Sequence, residues 1–340
     1  MSENICCRAS CACCGEMSVQ TVSTSLSLKD ILGAWKVRWG IGRMDYTTEP
    51  GLYAVGKPDG GSPVLVSANY KLTFDTLRKN LAGLDCWLLI LDTKGVNVWC
   101  AAGKGTFGTD ELVSRIESVC LSDIVTHGKL ILPQLGAPGV SAHEAARRAG
   151  FSVIYGTVRA RDIKAFISSG YKATKEMRTV KFTLWDRLVL TPMELVEAAK
   201  ISLTVFGVLF LINLFAARPF GMGDFLAYVA AVLIGAVITP VFLPFIPGKA
   251  FAFKGWLLGI IGTAYIAWAY GWFAPPFMLL GIGYMLALPA YSAFFAMNFT
   301  GASTYTSLSG VLKEMKIAVP LIVLSLMAGV ILILIKTFMG

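Results

Sequence analysis

The sequence predicts an α/β Rossmann-like domain followed by an all-α transmembrane domain of about five helices. Three observations carry that expectation. Hydrophobic residues make up 55% of the 340, and the mean hydropathy is +0.65, too apolar for an ordinary water-soluble chain. The apolar residues are unevenly spread: charge is mixed before about residue 190, then nearly vanishes from Ile201 to Phe338. In the first half, apolar strand-like runs alternate with helical patterns, which argues a layered domain with a largely parallel sheet. The expected boundaries are a cysteine-rich tail over 1–20, a globular domain over 21–185 and a membrane domain over 186–340.

Five of the eight cysteines crowd the tail, as Cys6, Cys7, Cys11, Cys13 and Cys14. Their spacing is not that of a ferredoxin. Two readings stay open: a thiol-rich tail without a site, or capture of a soft metal ion by vicinal thiolates. The N-terminus is polar, so no signal peptide is expected. In a cytoplasmic setting the cysteines are expected to be thiols. Within the globular domain, helices are expected over 74–83, 110–119, 142–149 and 160–168, with strands over 86–91, 130–133 and 152–158. Thr109 is the expected N-cap of the second helix, with Asp110 and Glu111 complementing its dipole.

The segment 96–108 falls at the carboxyl end of the strand Cys86–Leu91, where ligands of such domains bind. It holds Asn97-Val98-Trp99-Cys100-Ala101-Ala102-Gly103-Lys104. Cysteine thiolates bind soft metals and attack soft electrophiles; a free cysteine is also often a small buried hydrophobe, and residue chemistry leaves both open for Cys100. Gly103 to Gly108 matches G-x-G-x-x-G, but the acidic residue of a dinucleotide site is missing: Asp123 comes before the next strand. A phosphate-binding P-loop fails too, because Lys104 is followed by Gly105 and not by Ser or Thr. The only histidines, His127 and His143, lack the spacing of a zinc site and do not fit Asp-x-His-x-x-Gly, by which many corrinoid proteins supply a histidine to cobalt.

Membrane spans are expected near 201–217, 225–246, 256–273, 276–297 and 317–335. Thr191-Pro192-Met193-Glu194 reads as the capping box that starts the first. Lys181, Arg187, Lys200, Lys249, Lys254, Lys313 and Lys316 fall on one side, and Arg218 and Lys336 on the other. The positive-inside rule then places the globular domain in the cytoplasm and the C-terminus outside the cytoplasmic membrane. The net charge of +9 is thereby accounted for as juxtamembrane anchoring, and no basic–aromatic motif points to nucleic acid. Asp224 stands at a span edge with no acid–base pair expected in the membrane, which argues for an anchor over a transporter.

Asn97 to Lys104 resembles the corrinoid protein of microbial mercury methylation. That family's signature is Asn-(Val/Ile)-Trp-Cys-Ala-(Ala/Gly)-Gly-Lys, and every position matches. The resemblance extends to Ser67-Ala68-Asn69-Tyr70 upstream, to 132–140 downstream and to the five-span architecture. The globular part is similar to the corrinoid domain of the corrinoid iron–sulfur protein of the acetyl-CoA pathway. What the resemblance implies is a base-off corrinoid cofactor with Cys100 as catalytic residue and lower axial cobalt ligand. Asn69, Asn97, Val98, Trp99, Ala101, Ala102, Gly103, Lys104 and Gly105 would line the cofactor site with it. It further implies a dicluster 4Fe–4S ferredoxin as electron donor and Hg(II) carrier, and a folate-linked methyl donor. The alternatives are a corrinoid methyl carrier of one-carbon metabolism, a nucleotide-binding membrane protein, and a soft-metal transporter or sensor built on the cysteine tail.

Overall fold

The computed structural model describes residues 5–6, 18–305 and 307–339. It separates into two compact units, one of Met1–Val37 and Ile41–Val180, the other of Arg38–Gly40 and Lys181–Gly340. The expectations placed on Cys7, Cys11, Cys13 and Cys14 fall outside the described residues, and Cys6 is described by its backbone alone.

The first unit is built on a sheet of β1 (Ile5–Cys6), β2 (Ser18–Thr21), β3 (Gly51–Val55), β4 (Val64–Ala68), β5 (Cys86–Leu91), β6 (Lys129–Leu132) and β7 (Ser152–Tyr155). The spatial order is β1-β2-β3-β5-β4-β6-β7. Strands β5, β4, β6 and β7 run parallel, and β3 pairs antiparallel to β5. The chain moves from β4 outward to β5, then returns across β4 to lay down β6 and β7. The topological switch lies between β4 and β6, where a doubly wound sheet opens its ligand crevice. Around the sheet lie α1 (Leu28–Arg38), α2 (Lys71–Lys79), α3 (Val98–Lys104), α4 (Thr109–Ser118), α5 (Leu121–Ile124), α6 (Ala142–Ala149) and α7 (Ile163–Ser168).

Alternation along β5 sends its side chains to two cores, as the period of a strand requires. Trp87, Leu89 and Leu91 pack with Val98, Ala101, Phe107, Leu112 and Ala145 under α3, α4 and α6. Cys86, Leu88 and Ile90 pack with Phe74, Leu77 and Phe166 under α2 and α7. Both faces are covered, so β5 reads as an unbroken apolar run. Burial pushes the Cys86 thiol up to about 12, with Asp85 adding to it, and this cysteine is packing material.

Several local expectations are corrected. Strand β7 stops at Tyr155, short of 158. The first expected helix is shifted earlier, to Lys71–Lys79, and 160–168 is a 3₁₀ turn, Ala160–Asp162, followed by α7. Thr109 is not a cap: Gly108 holds that position in α4, and the Thr109 hydroxyl accepts from the Ser141 N–H at 2.9 Å. Cys120 is disulfide-bonded, against the expectation of thiols throughout.

The second unit contains α8 (Leu184–Leu188), α9 (Thr191–Asn213), α10 (Met222–Leu233), α11 (Thr239–Phe242), α12 (Phe251–Ala269), α13 (Met278–Asn298) and α14 (Leu308–Met339). A π-helical turn, Ile234–Ile238, joins α10 to α11. Among the described residues, five helical stretches are long and apolar enough to cross a membrane: Leu184–Asn213, Met222–Phe245, Phe251–Ala269, Met278–Gly301 and Ser309–Met339. The capping box sits one helix earlier than expected. Thr183 and Asp186 exchange the reciprocal bonds at the start of α8. Leu190 is already in the right-handed region, so Thr191 lacks the extended backbone of an N-cap. Its hydroxyl instead donates to the Leu188 carbonyl. Small residues let α12 and α13 approach closely: a Cβ added at Gly259 would lie 2.8 Å from the Pro289 backbone.

The reading of Asp224 is also corrected. Its carboxylate is buried and receives the Arg218 guanidinium at 3.1 Å, the Tyr284 hydroxyl at 2.6 Å and the Gly221 N–H at 2.8 Å. Sequence spacing hid this pair because Arg218 lies in the α9–α10 connection and Tyr284 is on another helix.

Candidate functional site

Asn97 starts α3. Its backbone is extended and its side-chain oxygen accepts from the Cys100 N–H at 3.0 Å, an N-cap that fixes the first turn. The helix then divides its motif between two faces. Val98, Ala101 and Ala102 are buried, at the i, i+3 and i+4 spacing of one face. Trp99, Cys100, Gly103 and Lys104 are exposed. Cys100 is a free thiol on the surface, beside a tryptophan that is 43% exposed. The reading of Cys100 as a buried hydrophobe is thereby overturned: Cys86 is in the core and Cys100 is not.

The backbone beside Cys100 is open at two glycines. A Cβ added at Gly103 or Gly105 would meet nothing within 4 Å. Gly105 also ends the helix with φ +81, a conformation that favours glycine. Beneath α3, the downstream segment is pressed against the helix. A Cβ at Gly139 would lie 2.1 Å from the Phe107 carbonyl oxygen and 3.0 Å from Ala102 Cα, and one at Gly136 would strike the Phe107 ring. The segment 132–140 is therefore the seat of the cysteine helix, which the sequence did not disclose.

Asn69 closes β4 and governs the loop that launches α3. It is buried. Its side-chain oxygen accepts from Thr93 N–H at 3.1 Å, Thr93 Oγ1 at 2.9 Å and Gly95 N–H at 3.1 Å. Its amide nitrogen donates to Asp92 at 3.2 Å. The Lys94 ammonium bonded to Asp92 holds that carboxyl below its ordinary range, although partial burial opposes this. Asp92 N–H in turn donates to Glu111, which is paired to Arg115 at 2.8 Å. Asn69 thus spends its polar atoms on the loop that leads into α3.

Two polar atoms beside the site are orphaned. Among the described residues, Thr106 Oγ1 and Gln134 Oε1 are buried side-chain atoms without a hydrogen-bond partner. Thr106 follows the end of α3, and Gln134 opens the 3₁₀ turn Gln134–Gly136 that seats it. A buried polar atom left unpaired costs free energy unless a ligand or water meets it. Sequence reasoning missed both; neither residue type carries a motif. Among the described residues no three His, Cys, Asp or Glu side chains converge to hold a metal ion. These features fit a corrinoid in their chemistry: one exposed thiol as donor to its metal, open glycines beside it, and two unpaired polar atoms nearby.

Residues 39–167, which contain all of this geometry, match the family described as CO dehydrogenase/acetyl-CoA synthase delta subunit. The chain is also similar to gamma subunits of the acetyl-CoA decarbonylase/synthase complex. The one from Methanopyrus kandleri is 35% identical over 121 residues, covering 35% of this chain and 26% of the relative. The one from Methanocaldococcus jannaschii is 31% identical over 139 residues, 40% of this chain and 28% of the relative. The gamma 2 subunit of Methanosarcina thermophila is 40% identical over 90 residues, 25% and 19% respectively. The chain thus spans about a quarter of the length of the first two relatives.

Proposed function

We propose that this chain is a membrane-anchored, corrinoid-dependent methyltransferase and that its methyl acceptor is Hg(II). The observation that carries the reading is the surface thiol of Cys100 on a helix locked into the core by its opposite face. Similarity of residues 39–167 to acetyl-CoA pathway subunits supports the corrinoid and the methyl chemistry. The full match of 97–104 to the mercury-methylation signature supports the acceptor.

A bound corrinoid would supply a transferable methyl group whose electron richness depends on the donor its metal receives from the protein. Cys100 would be that donor, and a thiolate gives more electron density than the imidazole of a histidine. Hg(II) is a soft electrophile that takes a methyl group with its electron pair, so a thiolate donor would favour it as acceptor. Trp99 walls the site, and Gly103 and Gly105 leave the floor open. Thr106 and Gln134 offer hydrogen bonds to amide arms. Asn97 and Asn69 hold the sulfur in place, and Val98, Ala101 and Ala102 keep the helix from turning. Lys104 completes the exposed face as a cation. In this reading the electron donor is a dicluster ferredoxin that also carries Hg(II), the methyl supply is folate-linked, and the globular domain is cytoplasmic.

The similarity to acetyl-CoA decarbonylase/synthase subunits favours a second reading, a methyl carrier of one-carbon metabolism. One experiment separates the two. The full chain and Cys100→Ala are purified, loaded with a methylcorrinoid, followed by ultraviolet–visible spectroscopy and challenged with Hg(II). The expected result is a thiolate-ligated spectrum and methylmercury from the wild type, both lost in Cys100→Ala. A bound corrinoid that leaves Hg(II) unmethylated supports the carrier, and normal turnover by Cys100→Ala overturns the mechanism.

A further inference from the structure

Helix α1 is built inside out. At Ser27 and Asp30 it opens with a reciprocal cap: Ser27 N–H donates to the Asp30 carboxylate at 2.9 Å, and Asp30 N–H donates to Ser27 Oγ at 3.2 Å. The face it turns to the domain is Asp30, Gly33 and Val37. Asp30 is paired to Lys71 at 2.7 Å and to Arg78 at 2.9 Å. A Cβ at Gly33 would strike Tyr46, and Val37 is 2% exposed. The opposite face is apolar and bare. Leu28, Ile31, Leu32 and Trp35 follow the i, i+3, i+4, i+7 spacing, and Trp39 continues the stripe in the turn beyond; Leu28 is 78% exposed and Trp35 63%. An ordinary surface helix does the reverse and hides its apolar stripe.

The stripe lies apart from the cysteine site. Its helix is fastened to α2, whose Phe74 and Leu77 pack on one face of the sheet. Val98, Ala101 and Ala102 of α3 pack on the other. Two further features say what covers it. On a helical wheel Lys29 and Lys36 border the stripe on one side. Tryptophan, leucine and isoleucine bordered by lysines is the composition of helices that lie in a bilayer interface.

We infer that α1 is an interfacial helix, resting its Leu28, Ile31, Leu32 and Trp35 stripe on the lipid bilayer while Lys29 and Lys36 reach the headgroups. Long basic side chains reach such headgroups while their stems stay on apolar surface. Anionic phosphate headgroups complement these charges. The helix gives the globular domain a lipid contact of its own, additional to the covalent tether to the spans. This assignment is independent of the reaction at Cys100.

The test uses the full chain labelled with fluorotryptophan and reconstituted in bilayer discs of phosphatidylcholine and phosphatidylglycerol. Fluorine NMR assigns the Trp35 signal by its disappearance in Trp35→Phe, with the remaining tryptophan signals reporting that the variant is folded. A nitroxide carried on the lipid headgroup is then compared with a water-soluble gadolinium chelate. The expected result is loss of the Trp35 signal to the nitroxide and its survival with the chelate. Loss to the chelate alone overturns the inference, since the stripe then faces water. Protection from both overturns it as well, because a protein surface, a second copy or another partner, then covers the stripe.

Discussion

Asn97 and Cys100 are three residues apart, and that spacing is structural before it is chemical. An N-cap side chain reaches the N–H of the third helical residue, so the asparagine of the motif holds the backbone of its cysteine. Replacing Asn97 by Ala is expected to cost about 1 kcal/mol of local stability. Its more telling effect is at the sulfur: weaker corrinoid retention with the bulk fold intact, and recovery in Asn97→Asp, which keeps a capping oxygen. Equal corrinoid affinity in wild type and Asn97→Ala, by equilibrium dialysis, would refute this positioning role. Asn69 was legible as a site residue only through resemblance. The structure shows its four hydrogen bonds running to the loop of 92–95. No sequence pattern reports that, because the partners come from the next strand's end.

At the scale of elements, two charged clusters hold helices together. In the globular unit, Asp30 joins α1 to Lys71 and Arg78 of α2, and Asp75 completes the cluster by pairing with both at 2.7 and 2.8 Å. Burial pushes the Asp30 carboxyl up, but hydrogen bonds from Lys71 and Ser27 more than reverse this and hold it well below the usual carboxylate range. A carboxylate depressed in the folded state stabilises fully above its unfolded value, and that contribution drains as pH falls toward the folded one. Hydrogen exchange in α1 is therefore expected to accelerate as pH is lowered below about 4, after correction for intrinsic exchange, and to be faster already at neutral pH in Asp30→Asn. Exchange that ignores both changes would show the cluster to be incidental. In the membrane unit, Asp224 ties the α9–α10 connection to α13 through Arg218 and Tyr284. Breaking a buried pair from one side costs about 3 kcal/mol. Asp224→Asn should accordingly lower the thermal midpoint in detergent, and more than Asp224→Asn adds to a chain already carrying Arg218→Gln. Additive effects would mean that the pair is not coupled.

The whole molecule joins a doubly wound α/β unit to five helices that can cross a bilayer. The charges between those helices set an expected orientation: Lys249, Lys254, Lys313 and Lys316 on the side of the globular unit. In sealed inside-out vesicles, protease is expected to remove the globular unit and leave a tag after Gly340 protected. The converse pattern would invert the topology. The two units also divide the chemistry, since all the site residues proposed here precede residue 140. Cleavage between the units should thus leave corrinoid binding unchanged, with loss of binding showing that the spans contribute to the site.

Composition and periodicity by themselves determined the fold class and the number of spans. Both follow from how much apolar surface a segment carries and at what period, which are local properties of the chain. Residue types alone left the role of Cys100 open, and the chemistry proposed for 97–104 rests on a resemblance of motif. Tertiary structure alone separated Cys86 from Cys100: packing on both faces of β5 buries the first, and the rotation of α3 exposes the second. It also decided the seat beneath α3, the orphaned atoms of Thr106 and Gln134, the Arg218–Asp224 pair and the bare stripe of α1. Each of these depends on residues distant in the chain meeting, or failing to meet, in space. Hydropathy windows average over neighbours in sequence and carry no information about such encounters.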